Sequence, residues 1–599
     1  MTKKNIVPID YTSRDFNTIK RDLLTYVKRY YPDTYKDFNE ASFGSMMLDT
    51  VSYVGDMLSF YLDYNANESF IETALEYDNI VRIAKQMGYK YEEVIQSFGY
   101  VDLMVSVPSK ALDNEPDLNY VPKMLKGSVF STMAGNMFTL TEDVDFLNQN
   151  TDVIGSILSA DGTRSDYFIL KAKGRVVSGR SNQTIIDVGA FQRFLRIEIP
   201  GDNIGEIIDV FDSEGNHYQE VDYLSQNVVF KPVKNTGSHR ASVPHLLKPY
   251  PVPRRYIVER ERERSFLVFG YGSEADIKKN NIVDPSSVAL KMHGKNYVSN
   301  DVFDPSKLTS TEKFGVTPVN TSLTVTYRIN TFENVNAASK TMRKVIDAKL
   351  YFSNESQLDS TILEYINSSV TVDNEEPING YTAALNTEEI KRKAYDTYAL
   401  QGRAVTKQDY ITATYAMPSK FGSIKRCSVH RDVDDLKRNI NLYVISEDSS
   451  YKLQKTNSAI KENLKNWLNN VRMISDTLDI LDAFVVNIGI DFDIMVEDQS
   501  NKYDIIVMCK EKLEEDLLSN NAEIGESFYI TDVFKALKDV PGVLDVVDVR
   551  LVNKRGSSYS TFEYDISSNM SLDGRSLQIP HNSIWEVKYP NSDIRGKVS

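Results

Sequence analysis

The segment "FGYGSEA" sets Gly270, Gly272 and Ala275 in a Gly-x-Gly-x-x-Ala spacing after the strand-like "SFLVF". That spacing holds a dinucleotide when a helix opens at its third position, so that the helix N-terminus faces the pyrophosphate. Here "DIKKNNIVDP" follows, polar, closed by proline and without a helical apolar face, so a glycine turn between strands fits better. Asp113, Glu115 and Asp117 alternate as calcium ligands would, but Leu118 stands where such a loop needs glycine and Met124 where it needs a bidentate glutamate. His217, His239, His245, His293, His430 and His581 form no close ligand pair. Glu375 and Glu376 are adjacent, whereas glycoside hydrolysis needs two carboxylates facing a common gap. A Gly-x-Ser-x-Gly elbow and a phosphate-cradling Gly-x4-Gly-Lys loop are both missing. The expectation is a chain with no catalytic, cofactor-binding or metal-binding residues and no cofactor.

"RRYIVERERERS" is the sharpest charge feature. Extended, it places Arg260, Arg262 and Arg264 on one face and Glu259, Glu261 and Glu263 on the other. Two readings stay open: a two-faced strand joined to neighbours by ion pairs, or a solvated edge strand whose charges block unwanted pairing. Nucleic-acid binding is poorly served, because the acids cancel the field and the whole chain carries a formal charge of −15. Cys427 and Cys509 stand far apart without a partner motif, which fits a reducing compartment and gives neither a disulfide framework nor a zinc site. The start, "MTKKNIVPIDYTSRDF", has no apolar run of the secretory kind, so synthesis in the cytoplasm is expected.

The densest apolar run near the start is "SFGSMMLDTVSYVGDMLSFYLDYNANESF". As a helix it has a heptad seam of Met47, Val51, Val54, Leu58 and Tyr61, with Thr50, Met57 and Tyr64 beside it. Asp49, Ser52, Asp56, Ser59 and Asp63 fall on one narrow polar stripe. The recurring aspartates exclude a membrane-spanning helix, so the cover for the apolar circumference must be protein. Two covers are possible: the flanking helices of the same chain, in a three-helix bundle, or helices of other chains.

The flanking segments are helical too: "RDFNTIKRDLLTYVKRYY" is amphipathic and ends near Pro32, and "ETALEYDNIVRIAKQMGY" closes with Gly88 as a C-terminal cap. From Ser97 the period becomes two, with Val101, Leu103, Val105 and Val107 alternating against Asp102, Met104 and Ser106. "TVDNEEPINGY" is polar, contains Pro and Gly, and reads as a hinge or boundary. After it, helices and strands interleave as in a split βαβ layer. The expected fold class is multidomain α+β. Its expected parts are an N-terminal helical region at 1–96, β-rich domains at 97–265 and, with a linker, 266–380, a C-terminal α+β domain at 381–552 and an irregular tail at 553–599.

Read together, "YTSRDFNTIKRDLL", the apolar run and "NIVRIAKQMGY" resemble the N-terminal helical region of baseplate wedge proteins of contractile-tailed bacteriophages, the baseplate J-like family. The positions that carry this are Arg14-Asp15-Phe16, Gly44, Gly55-Asp56, Tyr61, Asn67-Glu68 and Gly88-Tyr89. A second block, "NGYTAALNTEEIKRKAYDTYALQGRAVTKQDYITAT", resembles that family's Arg-x-Val-Thr-x-x-Asp-Tyr segment, here Arg403, Val405, Thr406, Asp409 and Tyr410. The alternation from Ser423 to Leu551 and the "FLVFGYGSEAD" turn resemble the family as well. Asn379-Gly380 departs from the paired glycines the family often has, and the tail from Lys554 has no counterpart.

The resemblance implies a structural, non-enzymatic subunit. Two copies would combine with a different third chain into a wedge of a sixfold baseplate around the tail tube and sheath-initiator region of a virion. Helical residues Met47, Val51, Val54, Leu58 and Tyr61 would form the shared bundle, leaving Asp49, Asp56 and Asp63 solvated or partner-paired. Arg403, Asp409 and Tyr410 would be interface residues of the ring-forming or dimerising C-terminal part. Contact with other wedge proteins is implied, and direct nucleic-acid binding or membrane insertion is not. Other readings are the same part in a bacterial contractile injection system, a glycan-binding or glycan-cleaving tail protein that stacks sugars on some of its 35 tyrosines, and an oxidoreductase built on "FGYGSEA".

Overall fold

The computed structural model describes residues 14–33, 39, 42–92, 94–110, 115–147, 151–158, 165–235, 245–261, 264–272, 314–431, 439–497, 501–519, 522–556 and 558–598. Its longer helices are α1 Phe16–Tyr30, α2 Phe43–Glu68, α3 Tyr77–Gln86, α4 Ser360–Ser369, α5 Thr387–Leu400, α6 Lys407–Tyr415, α7 Ser458–Leu468, α8 Lys502–Ser519 and α9 Ile530–Lys538. The fold is multidomain α+β, with helices first, a β-rich middle and a C-terminal α+β region. The chain divides into two compact units: Met1–Tyr91 with Leu385–Gln401, and Glu92–Ala384 with Gly402–Ser599.

In the first unit, α1 opens at Asp15, whose carboxylate accepts from the Thr18 N–H, and ends in Lys28 and Arg29, which suit the negative end of the helix dipole. The helix α1 buries no residue fully. A small core lies elsewhere: Ile80 and Ala84 of α3 close on Ile390 and Ala394 of α5, with Ile71, Ala74 and Tyr89 around them. The chain thus returns after some 300 residues to supply the helix that covers α3, a non-local step no local periodicity announces.

The second unit is built on two seven-stranded sheets. In the first, Phe98–Pro108 pairs antiparallel with Ser165–Ser178 along its whole length, from Phe98 opposite Val177 to Pro108 opposite Tyr167. Val101, Leu103, Val105 and Val107 enter the core as the alternation predicts. The opposite face is covered too: Asp102 is buried beside Lys171 at 3.2 Å. Burial raises the Asp102 carboxyl above the usual range in spite of that lysine. In the second sheet Thr321–Ile329 lies between Arg180–Val188 and Ile204–Phe211. The Arg255–Glu261 and Arg264–Phe269 strands form an antiparallel hairpin inside this sheet, between His217–Glu220 and Arg196–Ile199.

At the C-terminal end, Asn439–Glu447 and Thr477–Asp482 run parallel with α7 between them in sequence, a βαβ unit. The long strand Phe484–Val496 pairs antiparallel with Val543–Asn553, and α8 and α9 lie between the two in sequence. Their shared core holds Ile490, Phe492, Cys509, Leu513, Val533 and Leu537. The tail differs from the expected irregular chain: Ser583–Glu586 and Ile594–Val598 both add parallel to Phe484–Val496. These runs are four and five residues long, too short to show a period.

The expected hinge also differs. Thr371–Asp373 is a strand of the first sheet, and Asn374 and Asn379 are fully buried. The polar residues that read as loop are there because backbone crosses backbone and needs side-chain amides to satisfy it.

Candidate assembly interface

Helix α2 spans 26 residues and opens at Ser42, whose hydroxyl accepts from the Ser45 N–H at 3.2 Å. Its three fully buried residues are Ser45, Ser52 and Glu68, none of them apolar. The contact with α1 explains why. Lys20 reaches Asp49 at 2.6 Å and Arg14 reaches Asp63 at 2.7 Å, and between these pairs Gly55 lets the Ile19 side chain approach. A Cβ at position 55 would stand 3.2 Å from Ile19 Cδ1. The buried Ser52 hydroxyl is satisfied by its own helix, donating to the Leu48 carbonyl at 2.7 Å.

The polar stripe of α2 therefore faces α1, and Asp49 and Asp63 take their ion-pair partners from within the chain, Asp63 at a site still open to solvent. The expectation for these aspartates is corrected in that respect: a narrow stripe of small and acidic residues accepts a basic amphipathic helix more closely than bulky side chains could. The apolar seam lies on the other side. Met47, Val51, Val54, Leu58 and Tyr61 are each between 47% and 58% exposed, and Met46, Tyr53, Met57, Phe60 and Leu62 beside them are exposed too. A three-helix bundle of α1, α2 and α3 does not cover the seam, because α3 packs on α5. Among the described residues of this unit, the face stays open along the helix.

Beyond the seam the chain turns on Glu68. Its carboxylate accepts from the Leu75 N–H at 2.8 Å, from the Glu76 N–H and from the Asn79 amide at 3.0 Å. These bonds, the one from Leu75 first, hold the Glu68 carboxyl below its ordinary range. Tyr64 donates to Glu76 at 3.0 Å across the same corner. The corner fixes the direction in which α2 leaves α3.

The second motif has an internal role. Thr406 caps α6, its hydroxyl accepting from the Asp409 N–H, and the Asp409 carboxylate accepts from the N–H groups of Thr406 and Val405 at 2.8 and 3.0 Å. This is a capping box with aspartate in the reciprocal position. Burial works to raise the Asp409 carboxyl, but the two N–H bonds outweigh it and hold it below its ordinary value. Tyr410 is 1% exposed, and its hydroxyl donates to Asp476 at 2.7 Å; burial, then that carboxylate, raise the phenol to about 12. Arg403 is exposed. The motif secures a helix start and a core anchor, so Tyr410 has no surface left for a partner.

The other sequence features resolve into scaffold. Gly270 packs where a Cβ would overlap the Phe314 carbonyl, its own carbonyl accepts from Thr317 Oγ1 at 2.6 Å, and Gly272 bridges Val316. The glycines serve a close backbone crossing, and Ala275 lies outside the described residues. The charged segment is not an edge strand: Arg196 reaches Glu261 at 2.6 Å and Glu259 at 3.5 Å, and Arg260 donates to the carbonyls of Gly205 at 2.6 Å and Val94 at 3.2 Å. Arg262 and Glu263 lie outside the described residues. Glu375 pairs with Lys171 at 2.7 Å and Glu376 accepts from Ser458 at 2.7 Å, so neither faces a free gap. Among the described residues no group of three His, Cys, Asp or Glu could hold a metal ion. No helix among them is long and apolar enough to cross a membrane.

One junction had no sequence signal. Asn336 is 2% exposed and its amide is saturated: it accepts from Ser97 Oγ at 2.7 Å and the Tyr381 N–H at 3.0 Å, and donates to the carbonyls of Tyr381 and Glu447, each at 2.9 Å. Asn379 donates to the Lys455 carbonyl at 2.9 Å, and Asn457 to that of Pro377 at 3.1 Å. Asparagine in a loop reads as turn chemistry. Only the assembled sheets show that it joins the β-rich middle to the C-terminal region.

Residues 15–86, which are α1, α2 and α3, match the family model described as "Bacteriophage baseplate protein, N-terminal domain". Among curated proteins none matches the chain. Among solved structures, the cryo-EM structure of the anti-feeding prophage (AFP) baseplate, 6-fold symmetrised, is similar at 8% identity and a TM-score of 0.25, covering 94% of this chain and 89% of that chain. The TssK-TssF-TssG baseplate subcomplex of a type VI secretion system is similar at 7% identity and a TM-score of 0.25, covering 74% of this chain and 96% of that chain.

Proposed function

We propose that this protein is a structural, non-enzymatic wedge subunit of a contractile-tail baseplate, of the baseplate J-like kind. Its α2 seam meets helices of other chains, its own second copy and a different third chain, in a shared bundle. Its C-terminal α+β region joins neighbouring wedges into a sixfold ring around the tail tube, near the sheath-initiator region, in the virion. The observation that carries this reading is the open apolar face of α2, in a stretch that matches a baseplate N-terminal domain. Apolar surface of this extent, spaced in heptads on a helix with aspartates on its covered side, stabilises an assembly by the same burial that stabilises a core.

The test is solution mass across a hundredfold concentration range, alone and after co-expression with the products of neighbouring genes. Self-association or a defined hetero-complex that is lost in Leu58→Asp supports the reading. A strict monomer under both conditions, or assembly untouched by the substitution, refutes it. The gene neighbourhood separates a phage tail from a bacterial injection system.

A further inference from the structure

The second unit holds a cleft of about 740 Å³ where its two seven-stranded sheets meet α7. Four cations line it, Lys126, Arg175, Arg328 and Lys420, against two carboxylates, Glu206 and Asp209. Both carboxylates are engaged: Glu206 by Arg328, and Asp209 by His217 at 3.2 Å. Lys420 is paired with Glu220 at 3.0 Å. That leaves Lys126 and Arg175 against Asp209, whose contact with His217 balances its charge only when the imidazole is protonated; the lining is net positive in a chain whose formal charge is −15.

Arg175 is the informative member. It is half-buried, its guanidinium stands 5.7 Å from the Phe98 ring, and one Nη donates to Asn463 Oδ1, yet among the described residues it has no ion pair. Its Nε is sealed from solvent without an acceptor. A guanidinium in that setting is costly to leave without a counter-charge, and a carboxylate on its open edge would supply one. Asn466 and Asn470 follow Asn463 on the same face of α7 and its end, with Trp467 between them. Their side-chain amides are exposed and carry both donor and acceptor, as a peptide backbone requires.

We propose that this cleft docks an extended, carboxylate-bearing peptide segment of another subunit, the carboxylate on Arg175 and Lys126 and the backbone on Asn466 and Asn470. The proposal rests on the assembly reading above. A sugar fits less well: its hydroxyls need acceptors as well as donors, both cleft carboxylates are already paired, and Phe98 is buried while the Trp467 N–H is spent on the Ala413 carbonyl at 2.7 Å.

The test uses the full chain and a fluorescein-labelled peptide of alternating Glu and Ala, with its Gln counterpart as control, followed by anisotropy. Saturable binding at least tenfold tighter than the Gln peptide is expected. Lys126→Glu, at an exposed site, should weaken it at least fivefold without moving the melting temperature, and Arg175→Gln should abolish it. Equal binding of the two peptides, or no effect of Lys126→Glu, overturns the proposal. So does displacement by inorganic phosphate at the same concentration as free peptide, or tighter binding of an oligogalacturonate. Leu58→Asp should bind the peptide normally. A chain that assembles but ignores the peptide refutes the cleft alone, and one that binds the peptide but never assembles refutes the wedge reading.

Discussion

The Lys20 ammonium stands 2.6 Å from the Asp49 carboxylate, and that pair turns the acidic stripe of α2 onto α1. The apolar seam is left on the outside as a consequence. In an isolated chain this arrangement forgoes the burial that the seam could provide.

Val54→Asp and Leu58→Asp should therefore separate assembly from folding. Both positions are about half exposed in the single chain, so the melting temperature should hold, with stability within about 0.5 kcal/mol of the parent. In a covered seam the same carboxylates would be buried without a counter-charge, at a cost of several kcal/mol. Thermal scans and mass photometry on the same preparations check both halves. A seam covered within the chain would show as a fall in melting temperature.

Gly55 offers a finer handle on the α1 contact. Alanine there meets Ile19 Cδ1 at 3.2 Å, which the flexible end of that side chain can relieve, and Cγ2 at an ordinary 3.5 Å, and it regains about 1 kcal/mol of helix propensity, so Gly55→Ala should be neutral or stabilising. Gly55→Leu has no such room and should lift α1 away. Hydrogen exchange in Phe16–Tyr30 should then rise while exchange in α3 stays low; unchanged protection of α1 would count against the packing described.

Acid should loosen the α2–α3 corner. Glu68 titrates lower in the folded chain than its ordinary 4.5, because N–H groups bind its ionised form. A depressed carboxyl contributes stability that is present above the unfolded value and is lost as pH falls through the folded value. Protease susceptibility around Phe70–Glu76 should therefore rise below about pH 4.5. In Glu68→Gln the corner should already be cut more readily at pH 7, with less further change on acidification. A parent chain whose corner is cut equally at pH 7 and at pH 3 would remove Glu68 from this role.

The elements were legible wherever one face met one period: the valines of Phe98–Pro108 and the first two helices stand where their spacing put them, while α3 starts at Tyr77, later than the segment from Glu72 suggests. The seam of α2 was legible as well, but not which side α1 would take, because that depends on Gly55 and on two ion pairs across a loop. Three things left no local trace. The cover of α3 by α5 comes from the other side of the chain, the parallel strands near residues 583 and 594 are too short for a period, and a buried asparagine has the same letter as a turn asparagine. The Arg403–Tyr410 motif shows the opposite hazard. It was conspicuous as a motif, and the structure spends it on capping α6 and anchoring its own core.

The asparagine junction gives the sharpest stability test. All four hydrogen-bonding positions of the Asn336 amide are filled, and every partner is on a different segment from Asn336 itself. Alanine would strand the Ser97 hydroxyl proton and two carbonyls, and leave the Tyr381 N–H with only its 3.2 Å bond to Ser97 Oγ, in a site too tight for solvent to enter freely. At 1–3 kcal/mol for each buried group left unmatched, partly relieved by relaxation, Asn336→Ala should cost about 3 kcal/mol. Asn336→Asp should be worse, since it keeps the two acceptors but sets an oxygen against the carbonyls of Tyr381 and Glu447. Limited proteolysis and thermal scans of the whole chain read the outcome. If Asn336→Ala melts with the parent, the junction is not what joins the β-rich middle to the C-terminal region. If it melts early while exchange protection in α1 is retained, the two compact units are energetically separate, and the helices that carry the seam can hold their shape while the rest of the chain loosens.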